Sequence, residues 1–388
     1  MIPIAYNLRS MAVRRTTTLA SVLGIALVVF VLAAALMLSN GIKETLGRSG
    51  GSDVAVVMRK GSDTEMASSI EAPTLALILS APGVKKDEHG NALGLGDVLV
   101  VATMDKVGFD GVSNVQIRGV PDSVMQFRKN VKIVDGRRAQ PGTDEVIIGQ
   151  RLRGRFKGLE LGQTFELRKN RPAQVVGVFT HEGSSHESEV WADLDAVRAA
   201  FGRPGLFTAV RVQLESASKF EAFEAVVEQD KQLGLDAVRE DRYYEKQSEG
   251  TSMFVTALGS VIAVIFAIGA MIGAMITMYA SIASRGREIG TLRALGFSRR
   301  SILVSFLLEA LALALLGGVL GVLASLLMGS VKFSMMNFAS WSEIVFSFTP
   351  TPGILISALV FAGLMGLCGG FFPALQAARI SPVRAMRE

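Results

Sequence analysis

GTSMFVTALGSVIAVIFAIGAMIGAMITMYASIAS, from Gly250 to Ser284, contains no charged residue. A helix needs about 20 apolar residues to cross the hydrocarbon of a bilayer, so this run reads as a membrane span. We place it at 254–283, long enough for its end to project as a stalk. Working outward, the chain is also uncharged between Arg15 and Lys43, which puts another span at 17–38. That stretch is too long for a cleaved signal sequence and reads as an uncleaved helix. A third span, 302–328, carries one acid, Glu309, and a fourth, 353–376, lies in an uncharged window between Glu343 and Arg379.

Arginine placement sets the orientation, because positive residues in short loops stay in the cytoplasm. Arg9, Arg14 and Arg15 precede the first span, Arg285, Arg287, Arg293, Arg299 and Arg300 join the second to the third, and Arg379, Arg384 and Arg387 follow the fourth. The connection 329–352, read as a short external loop, has only Lys332 and Glu343. Both ends, 1–16 and 377–388, and the loop 284–301 are therefore expected in the cytoplasm, with 39–253 outside. The fold class expected is an α-helical membrane protein: four transmembrane helices with a large extracytoplasmic mixed α/β domain between helices 1 and 2.

Composition agrees, with 49% hydrophobic residues, 19% charged residues and a positive mean hydropathy, unlike an ordinary soluble domain. Residues 41–250 hold 28 Lys/Arg against 31 Asp/Glu, leaving 12 against 4 of the totals of 40 and 35 beside the apolar segments. A nucleic-acid binder would gather positive charge on its folded domain, so nucleic acid is not expected as a partner. The single cysteine, Cys368, lies in an apolar run and reads as a packing residue.

In the outer domain, short β-branched or alternating runs at 53–58, 115–120, 131–134, 146–148, 164–167, 174–179 and 209–214 read as strands between Gly, Pro and Asp turns. Helical patterns fill 73–79, 193–201 and 218–232. The strand-rich part, 131–205, is a candidate subdomain. Within it Arg151, Arg153, Arg155 and Lys157 read chiefly as a solvated edge.

The loop Arg285-Gly-Arg-Glu-Ile-Gly-Thr-Leu-Arg-Ala-Leu-Gly-Phe297 has Ile289, Leu292 and Leu295 at i, i+3 and i+6, an apolar stripe on a short helix, with Arg287, Glu288 and Arg293 around it. Gly296 can end that helix in a left-handed turn and Ser298 can cap the next. Two readings stand: a helix lying on lipid headgroups, or a peg docking into a cytoplasmic partner. Small residues spaced four apart, Gly269 and Gly273, Gly317 and Gly321, Gly366 and Gly370, allow close helix packing, either within one subunit or across a dimer seam. Glu309 is read as a structural hydrogen-bonded or ion-paired group rather than a proton relay. His181 and His186 are five apart across a Gly-Ser-Ser loop, whereas a zinc peptidase needs four on one helical face, so no metal and no catalytic residue is assigned.

The segment 287–296, with Phe306-Leu-Leu-Glu-Ala310 and Gly317-Gly-Val-Leu-Gly321, resembles the FtsX/MacB-type permeases of ABC transporters, a family with LolC/LolE-like and MacB-like members. Asn7-Leu-Arg, Arg14-Arg15, Leu23-Gly-Ile25, Pro373-Ala-Leu-Gln-Ala-Ala-Arg379 and Ser381-Pro-Val-Arg-Ala385 agree. So do Val134-Asp-Gly-Arg137, Glu145-Val-Ile-Ile-Gly149, Leu161-Gly162 and Val175-Val-Gly-Val178 in the outer domain. The resemblance implies a subunit of the bacterial inner membrane, paired as a homodimer or with a sister permease and bound to a separate ABC ATPase. Its coupling helix would be 287–296, with Arg287, Glu288, Ile289, Leu292, Arg293, Leu295 and Gly296. No Gly-x-x-x-x-Gly-Lys-Ser/Thr loop occurs, so ATP and Mg are expected in the partner, no cofactor in this chain, and the chain itself is not expected to be an enzyme. Export or extraction of a hydrophobic or envelope-derived substrate is the leading function, with membrane lipid and a periplasmic adaptor or carrier as further partners. An FtsX-like signalling subunit that regulates an extracytoplasmic hydrolase is the alternative, and no substrate-binding residue is assigned.

Overall fold

The computed structural model describes residues 15–108, 110–229, 233–337 and 340–380. In chain order the elements are α1 (Arg15–Gly47), β1 (Val54–Arg59), β2 (Ile70–Glu71), α2 (Thr74–Leu79), β3 (Gly94–Asp105), β4 (Val112–Val120), α3 (Val124–Phe127) and β5 (Lys132–Gly136). There follow β6 (Glu145–Gly149), β7 (Thr164–Arg168), β8 (Arg171–Thr180), β9 (Glu189–Asp193), α4 (Leu194–Phe201), β10 (Leu206–Phe207), β11 (Ala209–Gln213), α5 (Phe220–Gln229) and β12 (Leu235–Arg239). The last are α6 (Glu240–Ser284), α7 (Gly286–Ala294), α8 (Arg299–Leu326), β13 (Lys332–Asn337), β14 (Ser342–Ser347) and α9 (Pro352–Arg379). Arg9, Arg14, Arg384, Arg387 and the Asn7 and Ser381 motifs lie outside the described residues. Two compact units result: 1–41, 253–331 and 347–388 form a membrane unit, and 42–252 with 332–346 an outer unit.

In the membrane unit, α1, α6, α8 with its following turn, and α9 are the four helices, among the described residues, long and apolar enough to cross a membrane. Small residues set how closely they approach. A Cβ built on Gly317 would lie 2.8 Å from Val22 O, and one on Gly321 2.5 Å from Ala26 O, so α8 rides directly on the α1 backbone. Gly366 and Gly370 on α9 meet Ala314 and Ala310 of α8, where added methyls would sit 2.3 and 2.4 Å from the alanine Cβ atoms. Gly269 and Gly273 differ: no atom lies within 4 Å of a Cβ there, so they serve no packing within the described chain. Only 11% of the apolar window of α6 is buried inside the chain, against 33% for each of the other three helices, so α6 turns most of its surface outward.

The outer unit is built on a ten-stranded sheet in the order β12-β1-β11-β3-β4-β9-β6-β8-β5, with β7 on β8. The strands of 131–205 are part of this sheet rather than a separate subdomain, because β9 pairs in parallel with β4, Ile117 opposite Val190. Three strands of this sheet escape the sequence pattern, β3, β9 and β12. Leu95, Val98, Leu99 and Val100 of β3 and Val190, Trp191 and Ala192 of β9 are all buried, and a strand covered on both faces shows no alternation. One core gathers Val98, Ile117, Ile148, Val178 and Val190 on one part of the sheet, and another gathers Ala55, Val210, Val212 and Phe223 on the rest. α4 starts where the Asp193 carboxylate accepts from the N–H groups of Asp195 and Ala196, at 3.0 and 2.9 Å, and stops at Gly202 with φ 65°.

The segment read as a short external loop, 329–352, contains the hairpin β13–β14, and 332–346 belongs to the outer unit. Its strand β14 is apolar and buried at Ile344, Val345 and Phe346. A lone Glu in a short connection concealed that pattern.

The glycine geometry is testable by thermal melting of the detergent-solubilised chain. Gly321→Val and Gly366→Leu should each destabilise the helices by roughly 1–3 kcal/mol, the usual cost of overpacking. Gly269→Val and Gly273→Val should leave the melting of the single subunit unchanged, and an equal loss at all four positions contradicts the packing described.

Candidate functional site

Helix α7 follows α6 after one residue, Arg285, and its two sides differ. Ile289 is 2% exposed, packed among Ile282, Ile302, Phe306, Ala374, Ala377 and Ala378. It is therefore a core residue of the membrane unit and is not available to a docking groove, a correction to the expected stripe. The helix ends at Ala294, one residue before the end of the stripe, so Leu295 is its C-cap and is 72% exposed. Leu292 is half-buried, and Arg287 and Glu288 are exposed. Gly296 has φ 95°, the left-handed turn expected of it, and the N–H of Phe297 returns to Leu292 O at 3.2 Å. Arg293 Nη1 donates to Phe297 O at 3.3 Å, closing the turn, and Ser298 Oγ accepts from Ser301 N–H at 3.2 Å to begin α8.

Glu309 does not stand alone. Arg285, buried at the α6–α7 corner, places Nη1 3.3 Å from Glu309 Oε2, places Nε 3.3 Å from Glu288 Oε2, and lies over the Phe306 ring at 5.6 Å. The ion pair makes the intramembrane carboxylate tolerable and pins the start of α7 to α8. Beside it a cleft of about 600 Å³, counting its mouth, is lined by Thr18, Ser21, Thr277, Ser281, Glu309 and Gly370 among others. Ser21 and Thr277 are hydrogen-bonded across it at 2.9 Å.

A charged cluster that sequence reading misses lies in the outer unit. Asp97 on β3, Arg118 on β4, Glu189 on β9 and Arg211 on β11 meet Glu65, and all five are at most 3% exposed. Arg118 is 2.8 Å from Glu65, from Asp97 and, in a bidentate pair, from both oxygens of Glu189. Arg211 contacts Asp97, lies 2.6 Å from Glu65 and reaches Glu240, the first residue of α6, at 3.0 Å. Glu240 also receives Arg128 at 2.5 Å and the Gly51 N–H at 3.1 Å, so the segment after α1 and the start of α6 close on the same ions. The sequence pattern does not mark them, because Asp97 and Glu189 lie on β3 and β9, the strands it misses, and Glu65 lies in no regular run.

Burial alone would raise the Glu65 carboxyl, but Arg211 and Arg118 outweigh it and hold it at about 2. Glu240 is likewise held at about 2, burial being outweighed by Arg128 and Arg211. The two histidines sit at the edge of this cluster with ring centroids 5.2 Å apart. His186 Nδ1 is 3.2 Å from Glu189 Oε1, and His181 Nδ1 is 2.7 Å from Ser184 Oγ. Burial, aided by His186 and Arg128, pushes His181 down to about 3. Arg151 and Arg155 are not a solvated edge. Arg151 pairs with Glu187 at 3.2 Å and donates to Val345 O, and Arg155 holds Glu343 at 2.7 Å.

Residues 16–230 match the model of the MacB-like periplasmic core domain, and residues 260–382 that of the FtsX-like permease C-terminal region. Among curated proteins the chain is similar to the macrolide export ATP-binding/permease protein MacB of Bordetella avium, with 29% identity over 95% of this chain and 57% of that protein. It is also similar to the protein of that name from Acinetobacter baylyi, at 41% identity over 36% of this chain and 20% of that one. The chain thus spans about half the length of the first of these relatives. Among solved structures, the periplasmic region of MacB from Actinobacillus actinomycetemcomitans covers 51% of this chain and 94% of its own, with 11% identity and a TM-score of 0.39. The extracellular domain of the ABC-type transporter YknZ covers 48% of this chain and 99% of its own, with 18% identity and a TM-score of 0.35.

The histidines and acids make the outer unit acid-labile in two steps. Unfolded, His181 takes a proton near 6.5, whereas folded it does so only near 3, so stability is present above pH 6.5 and is lost as pH falls below it. His181 alone should remove about 2 kcal/mol between pH 7 and pH 5. A further loss should follow as pH falls from 4.5 towards 2, through Glu65 and Glu240. Both tryptophans, Trp191 and Trp341, lie in the outer unit, so their emission during urea unfolding of the whole chain in detergent reports it. A midpoint that stays flat between pH 7 and pH 5 contradicts the assignment, and His181→Gln should shrink the first step, leaving the part due to buried His186.

Proposed function

The chain belongs to the FtsX/MacB-type permease family, and on that premise we propose that it passes ATP-driven motion of an ABC ATPase to its extracytoplasmic domain. The observation that supports this best is α6, one uninterrupted helix of 45 residues, about 68 Å at 1.5 Å per residue. Its first residue, Glu240, is held in the buried ion cluster, and its last, Ser284, is one residue from α7. A continuous hydrogen-bonded helix carries displacement along its axis with little internal give.

In this reading α7 is the coupling helix, docking through Leu295 and the charged face around Arg287 and Glu288, with Leu292 and Arg293 at its margin and Gly296 setting the turn. Ile289 and the Arg285–Glu309 pair anchor the helix so that a push on Leu295 moves α6 and α8. ATP and Mg act in the ATPase, this chain has no catalytic role, and the subunit lies in the bacterial inner membrane with both termini and α7 cytoplasmic. The outward face of α6, with Gly269 and Gly273, is where a second copy or a sister permease would pack. The cargo is a hydrophobic or envelope-derived molecule, handed to a periplasmic adaptor or carrier.

Leu295→Asp should abolish co-purification of the ATPase and its stimulation, with the melting of the isolated subunit unchanged, because the position is exposed. Ile289→Asp should instead destabilise the subunit, since an unpaired buried charge costs several kcal/mol. If Leu295→Asp combined with Arg287→Glu keeps full ATPase binding and stimulation, α7 is not the docking element.

A further inference from the structure

The hairpin β13–β14 lies in sequence between two membrane helices, yet it is built into the outer unit. Its centre is Glu343, 4% exposed, with Oε1 2.7 Å from Arg155 Nη2 and Oε2 2.6 Å from Lys106 Nζ. The side chains of Ser334 and Ser113 also hydrogen-bond the carboxylate. Burial would raise this carboxyl, but these partners hold it at about 2, so the tie is ionic at neutral pH. Around it the Val345 N–H donates to Ser188 Oγ at 3.1 Å, Arg151 donates to Val345 O, and Asn114 Nδ2 donates to Trp341 O at 2.9 Å.

A surface connection between two spans needs none of this. Loops that only close a chain stay polar and exposed, and burying a carboxylate between cations brings little net stability over apolar packing. What such a tie does provide is a fixed position. The leads to it are short: residue 331 alone separates the turn after α8 from β13, and residues 348–351 separate β14 from α9. At most about 3.5 Å per extended residue, those leads take up only small displacements before the hairpin must follow.

We propose that Lys106, Arg155 and Glu343 form a second attachment through which movement of α8 and α9 reaches the outer sheet, in parallel with α1 and α6. This rests on the coupling role proposed above. The three are positioning residues, which touch neither nucleotide nor cargo.

The test uses the full chain co-purified with its ATPase in detergent, following hydrogen exchange at residues 112–120 and 189–193 with and without Mg-ATP. The wild-type complex should show an ATP-dependent change there. Glu343→Gln and Lys106→Met should bind the ATPase and hydrolyse ATP at the wild-type basal rate, yet lose at least half of that change. Lys106→Arg, which keeps the charge, should respond as wild type. Glu145→Gln, which breaks the exposed pair of Glu145 with Arg137 on the same sheet, should also respond fully, separating lost attachment from general loosening. An undiminished change in Glu343→Gln, with the wild type responding, overturns the second attachment and leaves the coupling role standing. No ATP-dependent change in the wild type overturns the coupling role and this inference with it.

Discussion

Arg118 and Arg211 stand on neighbouring regions of one sheet, and between them they neutralise Glu65, Asp97, Glu189 and, with Arg128, Glu240. Each ion is buried, and removing any one leaves its partners short of a counter-charge away from water, which typically costs 3–5 kcal/mol. The cluster therefore holds as a whole or fails as a whole. Its members come from β3, β4, β9, β11, the segment between β1 and β2 and the first turn of α6, so it ties the start of α6 to the outer sheet. A hydrophobic contact in the same place would be as stable and would tolerate sliding, whereas bidentate guanidinium pairs fix direction as well as distance.

In the membrane unit the same fixity comes from contact without charge. Lipid tails are as apolar as the side chains they replace, so helices gain by approaching closely rather than by leaving water. Gly317 and Gly321 set α8 against the α1 backbone, and Gly366 and Gly370 set α9 against α8. α6 takes little part, with only Gly259, Ala263, Ala267 and Ile282 buried in its apolar length. The helix that joins the ion cluster to α7 is thus the one least restrained by its own subunit.

The Arg285–Glu309 pair is the counterpart of the outer cluster at the other end of α6. It holds the corner from which α7 departs, while Leu295 and the charged residues before it face outward. The hairpin adds a further connection, tying residues that follow α8 to the outer sheet through Glu343. The family to which the chain belongs is one of transporter permeases.

Four spans, their approximate limits, the outer α/β domain, and the turn at Gly296 with its cap at Ser298 were all legible in the residues, because each follows from a local rule: uncharged length, strand alternation, a glycine where φ must be positive. Membership of the permease family was legible too, in the loop and core-domain motifs. The strands β3 and β9 were not, since strands buried on both faces carry no alternation. Nor was the role of Ile289, which belongs to the stripe by spacing but to the core by contact. Arg118, Arg211 and Glu240 belong to no motif, and 329–352 looked like a loop. Their true places depend on pairs distant in sequence, such as Glu65 with Arg118, 53 positions apart, and Arg155 with Glu343, 188 apart. The sequence by itself determined which segments enter the membrane, because hydrocarbon acts on each segment alone. Only the tertiary structure decided which charges are buried and which glycines touch, because those depend on what a distant segment brings to the other side.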